Sequence, residues 1–266
     1  MDRIMLLILA RFFRPRQPSF SPPKLCCSGA GAVRRIRTVN KRVLIAIPAY
    51  RCEKQIRRVL SGLVRLRSSL PSVERVIVLD NQSPDGTAAA ASDQVSRENA
   101  SDWIEVQVNP VNRGLGGSQK RAFRLASERG FSHVIVLHGD DQADPTDIPD
   151  LLDALGEGRD AVLGSRFMKG SRREGYSLLR TFGNRGLNGV YSLLSGSRVS
   201  DLGSGLNGFR VEALRDLPFE TFADQFTFNM DLLLSLIEHG KKILFIPIRW
   251  REQDQASNAR TFAVGW

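Results

Sequence analysis

Val134-Ile135-Val136-Leu137-His138-Gly139-Asp140-Asp141-Gln142-Ala143-Asp144-Pro145 runs from an apolar stretch straight into three carboxylates. Val134 to Leu137 reads as a buried strand that stops where the acids begin, because a strand covered on both faces shows a continuous apolar run. In an open α/β sheet ligands collect outside the carboxyl ends of the strands. Asp140, Asp141 and Asp144 are therefore expected to crowd one crevice. Crowded carboxylates repel unless a cation sits among them, and Mg²⁺ or Mn²⁺ takes oxygen ligands of this kind, often together with substrate phosphates. The stretch reads as a metal-diphosphate site. A solvated acidic loop that caps the following helix through Asp144 or Thr146 accounts for the same residues equally well.

On both sides of this stretch, short apolar runs alternate with helical ones. Val43 to Ile47, Arg75 to Leu79, Trp103 to Val108, His133 to Leu137 and Ala161 to Gly164 read as strands. Glu53 to Arg67, Thr87 to Arg97, about Gly117 to Glu128 and Ile148 to Leu155 carry helical periodicity between them. This alternation predicts an α/β fold with a mostly parallel, Rossmann-like sheet flanked by helices and joined by right-handed crossovers. Farther along, Leu178 to Leu194 reads as a helix interrupted by Gly183, Gly186 and Gly189, and Asp201 to Gly208 as a glycine-rich loop. Phe228 to Glu238 reads as a helix and Ile243 to Ile248 as a last strand. No internal repeat is evident. The expected organisation is a nucleotide-binding half over 42–168 and an acceptor half over 169–266.

The formal charge of +10 suggests a nucleic-acid partner until the charge is located. Residues 1–42 hold ten Lys or Arg against one acid, Asp2, whereas the remaining chain has 28 basic and 27 acidic residues. A nearly neutral body argues against a nucleic-acid binder and assigns the basicity to the N-terminal stretch, which suits anionic lipid, nucleic acid or no specific partner. Its apolar run, Ile4 to Ala10, is too short to cross a bilayer and fits a secretory h-region, a transit-like leader or a surface anchor. Pro15, Pro18, Pro22 and Pro23 break any helix there. Residues 1–41 are expected to be a disordered, basic extension, consistent with a start codon placed too far upstream. Cys26, Cys27 and Cys52 form neither a disulfide framework nor a zinc spacing, which points to reducing, intracellular surroundings.

Other strand ends also carry ligand-competent residues. Ile47-Pro48-Ala49-Tyr50 ends the first strand, where Pro48 stops the ladder and Tyr50 can stack on a base or simply be half-buried. Asp80 ends the second strand and can accept hydrogen bonds from a base or ribose, while Ser83-Pro84-Asp85-Gly86 reads as a turn into the next helix. Asn112-Arg113-Gly114-Leu115-Gly116-Gly117-Ser118 is a glycine loop before a helix, where backbone N–H groups can approach an anion, although it matches neither a dinucleotide fingerprint nor a P-loop. Gly164-Ser165-Arg166 offers a guanidinium after the fifth strand.

In this order the motifs resemble the family 2 glycosyltransferases of the GT-A fold, in particular the dolichyl-phosphate and polyprenyl-phosphate sugar synthases, over about Val43 to Asn258. Ile47-Pro48-Ala49-Tyr50 resembles the opening I-P-A-Y-N-E, with Arg51 and Cys52 in place of Asn-Glu and an acid at Glu53. Asp80 to Thr87 resembles D-D-G-S-x-D-G-T with Asn81 in place of the second Asp. Asn112 to Gly116 resembles N-x-G-x-G, Gly164 to Phe167 resembles G-S-R-F, and Ser204 to Arg210 resembles the S-G-F-R region on the acceptor side. The metal motif D-A-D-L-Q falls on His138-Gly139-Asp140-Asp141-Gln142, so its first Asp is His138. Trp250 to Asn258 resembles R-x-x-G-x-S-K loosely, one residue out of step.

The resemblance implies an inverting hexosyltransferase that moves a sugar from a nucleotide-diphosphate sugar to an acceptor with a divalent metal, Mn²⁺ or Mg²⁺, as cofactor. It assigns Pro48, Tyr50, Glu53, Asp80, Gly114, Gly139 and Arg251 to the nucleotide, and His138, Asp140 and Gln142 to the metal. Asp140, Arg166 and Asp201 fall at the reacting centre, with Asp224 and Asp141 as further candidates for a general base. Because imidazole suits Mn²⁺ better than Mg²⁺, His138 shifts the expected metal preference; contact with the nucleotide or sugar alone, or loss of metal dependence, fits it too. The implied acceptor is a lipid phosphate of the polyprenyl type, reached by peripheral contact at the cytoplasmic membrane face. A glycan hydroxyl acceptor and a noncatalytic nucleotide-sugar-binding scaffold are the alternatives. A sugar-nucleotidyltransferase is disfavoured, because no Arg- and Lys-bearing glycine loop follows the first strand.

Overall fold

The computed structural model describes residues 41–254. All of the expected N-terminal extension except residue 41 lies outside that range, as do residues 255–266, which include Ser257 and Asn258 of the loose terminal motif. The order is β1 (Val43–Ala49), α1 (Glu53–Leu66), β2 (Val73–Asp80), α2 (Thr87–Arg97), β3 (Ile104–Val108), α3 (Gly114–Glu128), β4 (His133–Leu137), α4 (Ile148–Gly156) and β5 (Ala161–Ser165). Then come β6 (Arg172–Glu174), α5 (Leu178–Ser195), β7 (Leu206–Arg210), α6 (Val211–Arg215), α7 (Phe228–Glu238), β8 (Ile243–Pro247) and β9 (Arg249–Arg251).

The apolar runs become the central strands: every residue of β1, β4 and β5 is buried. On α1, Ile56, Val59, Leu60 and Leu63 recur at three- and four-residue steps and bury one stripe in the core, as an amphipathic surface helix does. The seven strands run β3-β2-β1-β4-β7-β5-β8, and all pair in parallel except β7, which is antiparallel to both neighbours. β6 and β9 form a separate parallel pair. After β1 the chain builds outward to β2 and β3, then returns to place β4 on the other side of β1. That reversal opens the crevice in which doubly wound sheets bind ligands.

One expectation changes. The glycine-rich segment 201–208 is a loop only up to Gly205, and Leu206 to Gly208 belong to β7 at the centre of the sheet. A Cβ on Gly208 would lie 2.4 Å from Leu151 Cδ2 and 2.8 Å from Leu155 Cδ1. The glycine lets α4 seat against the strand. β7 and β8, from 169–266, complete the same sheet as β1 to β5.

Candidate active site

Because β1, β2, β4 and β5 are parallel, Pro48 and Tyr50, Asp80 and Asn81, His138 to Gln142, and Arg166 all lie at one edge of the sheet. Antiparallel β7 brings Gly203 to Gly205 to the same edge. A cleft of about 680 Å³ opens there, lined among others by Pro48, Tyr50, Gly114, His138, Gly139, Asp140, Gln142 and Arg166. Gly139 fits the switch point tightly. Its N–H donates to the Pro48 carbonyl at 3.0 Å, and a Cβ there would lie 3.1 Å from Ala49 Cβ and 3.2 Å from Ile56 Cδ1.

His138 is held from the other side by the loop that enters β7, its N–H donating to the Gly205 carbonyl at 2.8 Å. Its Nε2 is buried and has no hydrogen-bond partner among the described residues. Burial pushes the His138 pKa down, with Asp140 opposing and Arg166 reinforcing, so the imidazole is held neutral, the form that ligates metals. Desolvation pushes the Asp140 carboxyl up and His138 opposes that shift. An orphaned neutral imidazole nitrogen beside a carboxyl group that has no cationic partner among the described residues fits a divalent ion, and this mixed N,O set suits Mn²⁺ better than Mg²⁺. No group of three His, Cys, Asp or Glu gathers among the described residues. An ion held by His138 and Asp140 would therefore complete its shell with other oxygens, from Gln142, substrate or water.

Arg166 is the buried cation of the cleft. Its Nε and Nη2 donate to the Asp201 carboxylate at 2.8 and 2.7 Å, and its backbone N–H donates to the same group at 2.9 Å. The guanidinium lies over the rings of Trp250, Phe167 and Tyr176 at 4.8, 5.2 and 5.7 Å. Burial alone would lower its pKa, and Asp201 more than restores it. Asp201 is thus the orienting partner of Arg166. Its carboxylate is 1% exposed and saturated by that arginine and the Gly203 N–H.

Several expected ligand residues have other partners. Arg251 faces away from the cleft: its Nη2 and Nε donate to the Asp141 carboxylate and carbonyl at 2.7 and 3.1 Å. Arg58 Nε reaches the same carboxylate at 2.7 Å, so Asp141 is clasped by two arginines behind the acidic loop. Asp224, the third candidate base, pairs with Lys120 at 2.6 Å. Glu53 lies beside Gly86, where a Cβ would come within 2.9 Å of Glu53 Cδ, at the start of α2, an end that favours negative charge. Asp80 is buried, with Oδ2 accepting from the Ser83 N–H and Oδ1 unpartnered among the described residues. The glycine loop offers less to an anion than its sequence suggests. The Gly114 N–H donates to Asn112 Oδ1 and the Gly116 N–H to the Asp224 carbonyl.

Residues that the motifs did not single out complete the cleft: Trp250, Gln225, Phe226, and the pair Arg180 and Glu252 at 2.7 Å. Asn81 is a hub rather than a ligand, accepting from Asn109 and Arg113 while donating to Asn112 and Gly114. An aromatic residue next to Arg251 was the available sequence signal for Trp250. Nothing local marked Arg180, and Glu252 lies within the loosely matched stretch Trp250 to Asn258 without a role assigned to it.

The glycosyl transferase family 2 profile matches residues 44–218. This chain belongs to glycosyl transferase family 2. Among curated relatives of this glycosyltransferase is the polyprenol monophosphomannose synthase of Mycolicibacterium smegmatis, 26% identical over 227 residues, covering 85% of this chain and 83% of the relative. The undecaprenyl-phosphate mannosyltransferase of Micrococcus luteus is 27% identical over 214 residues, covering 80% and 85%. Among solved structures, glucosyl-3-phosphoglycerate synthase from Mycobacterium tuberculosis, in complex with Mn²⁺, uridine diphosphate and phosphoglyceric acid, superposes with a TM-score of 0.61 at 21% identity. The match covers 81% of this chain and 72% of that one. The fold is GT-A.

Proposed function

We propose that this glycosyltransferase transfers a sugar, with inversion, from a nucleotide-diphosphate sugar to a polyprenyl phosphate at the cytoplasmic face of a membrane. The observation that carries the reading is the set of guanidinium groups at the cleft. Three arginines, Arg51, Arg166 and Arg180, line it; Arg166 is paired with Asp201 and Arg180 with Glu252, while Arg51 has no carboxylate partner among the described residues. Guanidinium groups held in place in this way suit phosphate-bearing substrates. The names of the two mannosyl-transferring relatives support a polyprenyl acceptor.

In such a transfer an acceptor phosphate oxygen forms the new bond to the anomeric carbon, the bond from that carbon to the diphosphate breaks, and the nucleoside diphosphate departs with the electron pair. Arg166, preoriented by Asp201, faces the negative charge that develops on the leaving group. An ionised phosphate acceptor needs no base. That requirement matches a cleft whose candidate bases, Asp141, Asp201 and Asp224, are each committed to a cation. His138, Asp140 and Gln142 are the residues that would hold a divalent ion, which supplies Lewis-acid stabilisation of the departing diphosphate when bound. The test is incubation of the protein with a panel of uridine and guanosine diphosphate sugars, a short isoprenyl phosphate and Mn²⁺. A sugar-phosphate-isoprenoid product is expected from at least one donor; transfer to a glycan hydroxyl with none to isoprenyl phosphate would overturn the acceptor assignment.

A further inference from the structure

Six of the nine large apolar side chains exposed on the described surface belong to α5, and four of them are mostly in solvent: Leu178 at 76%, Leu179 at 82%, Phe182 at 70% and Leu193 at 83%. The residues that α5 buries are Thr181, Asn188, Tyr191 and Ser195. A surface helix ordinarily buries its apolar stripe and exposes its polar one; this helix does the reverse. With about 100° between successive residues, one half of its circumference, from Leu178 round to Leu187, contains only leucine, phenylalanine, valine and glycine. Arg185 and Arg180 stand at the two borders of that arc.

Charge says what covers the face. Residues 161–200 hold seven Lys or Arg and one acid, Glu174, whereas the rest of 43–266 holds 21 basic and 26 acidic residues. Lys169, Arg172, Arg185 and Arg198 are exposed and pair with no carboxylate among the described residues. A purely apolar protein surface would leave these cations unmatched. An anionic bilayer engages both, the apolar arc entering the boundary of the acyl chains while cations at its borders meet headgroups. No helix among the described residues is long and apolar enough to cross a membrane. The helix also adjoins the cleft, which Arg180 from its first turn lines together with the half-exposed Phe226.

We infer that α5 lies in the plane of an anionic membrane surface and docks the cleft against it; this deepens, and rests on, the polyprenyl-phosphate reading above. The test uses the full chain, with sedimentation on phosphatidylcholine vesicles with and without about one-third phosphatidylglycerol and no isoprenyl phosphate. Wild type is expected to bind the anionic vesicles, and Leu179→Glu/Phe182→Glu, which alters only exposed side chains, to bind at least about tenfold more weakly. The same double variant is expected to transfer sugar normally to a short, water-soluble isoprenyl phosphate and poorly to a long-chain one held in vesicles. Undiminished vesicle binding by the variant overturns the inference. So does a wild-type dimer that the double substitution dissociates, since a second copy would then cover the face. If wild type glycosylates no isoprenyl phosphate of either length while vesicle binding still depends on Leu179 and Phe182, docking stands and the acceptor reading fails.

Discussion

Arg166 and Asp201, both buried, are joined by three hydrogen bonds, from the Nε, Nη2 and backbone N–H of the arginine to the two carboxylate oxygens. Removing one member of such a pair strands the other charge out of water, at a cost of about 3–5 kcal/mol. Asp201→Asn is expected to lower the unfolding free energy by that order in urea titrations. Arg166→Lys keeps a cation but loses the planar fork; its stability loss should be smaller and its turnover at least about tenfold lower. An Asp201→Asn protein that unfolds like wild type would show that the pair is not the strut described here.

Asp140→Ala is expected to abolish metal-dependent turnover, by about a hundredfold or more, with an unchanged thermal melt. His138→Asp replaces nitrogen by oxygen, which Mg²⁺ prefers, so the ratio of Mn²⁺-supported to Mg²⁺-supported turnover should fall. An unaltered ratio would remove His138 from contact with the ion.

Two glycine substitutions should move stability in opposite directions. A Cβ on Gly116 would lie 2.7 Å from the Ala223 carbonyl oxygen and from Phe228 Cβ, so Gly116→Ala is expected to cost about 1–3 kcal/mol as α3 and the 223–228 segment are forced apart. A Cβ on Gly183, inside α5, would meet nothing within 4 Å. Gly183→Ala should therefore stabilise by about 0.5–1 kcal/mol through helix propensity alone. Paired denaturant titrations read both signs.

His133, buried at the start of β4, has its pKa lowered to about 4, by desolvation first and then by Lys41 and Arg210. The unfolded chain, with an ordinary imidazole near 6.5, binds the proton more readily between those values, so stability falls as pH drops from about 6.5 towards 4. By pH 5 the loss should be roughly 2 kcal/mol. His133→Gln is expected to flatten that part of the profile; an equally steep decline in the variant would assign the effect to other groups.

Much of the fold was legible because its central strands are continuous apolar runs and its helices carry unbroken stripes: Thr87–Arg97, His133–Leu137 and Phe228–Glu238 have the bounds their patterns predict. β7 was not. Leu206-Asn207-Gly208-Phe209-Arg210 carries a glycine that α4 requires and an asparagine whose amide serves the neighbouring loop, so its sequence looks like a turn. In the candidate site, residues at strand ends could be read in order because parallel topology sends every such end to one edge. The partners of long side chains could not. Arg251 turns to Asp141 and Glu53 to Gly86 because of what lies across space, which no local spacing records.

Strand β7, wedged antiparallel between β4 and β5, also acts as a gauge block. His138 leaves β4 and Arg166 leaves β5, so the two are held apart by two strand spacings, about 9–10 Å. That span cannot stretch or shrink without unzipping the middle of the sheet. Changes in which sugar the protein accepts are therefore expected to arise in the rim, through Tyr50, Gln225, Phe226 and Glu252, while the gap between acid loop and arginine stays constant.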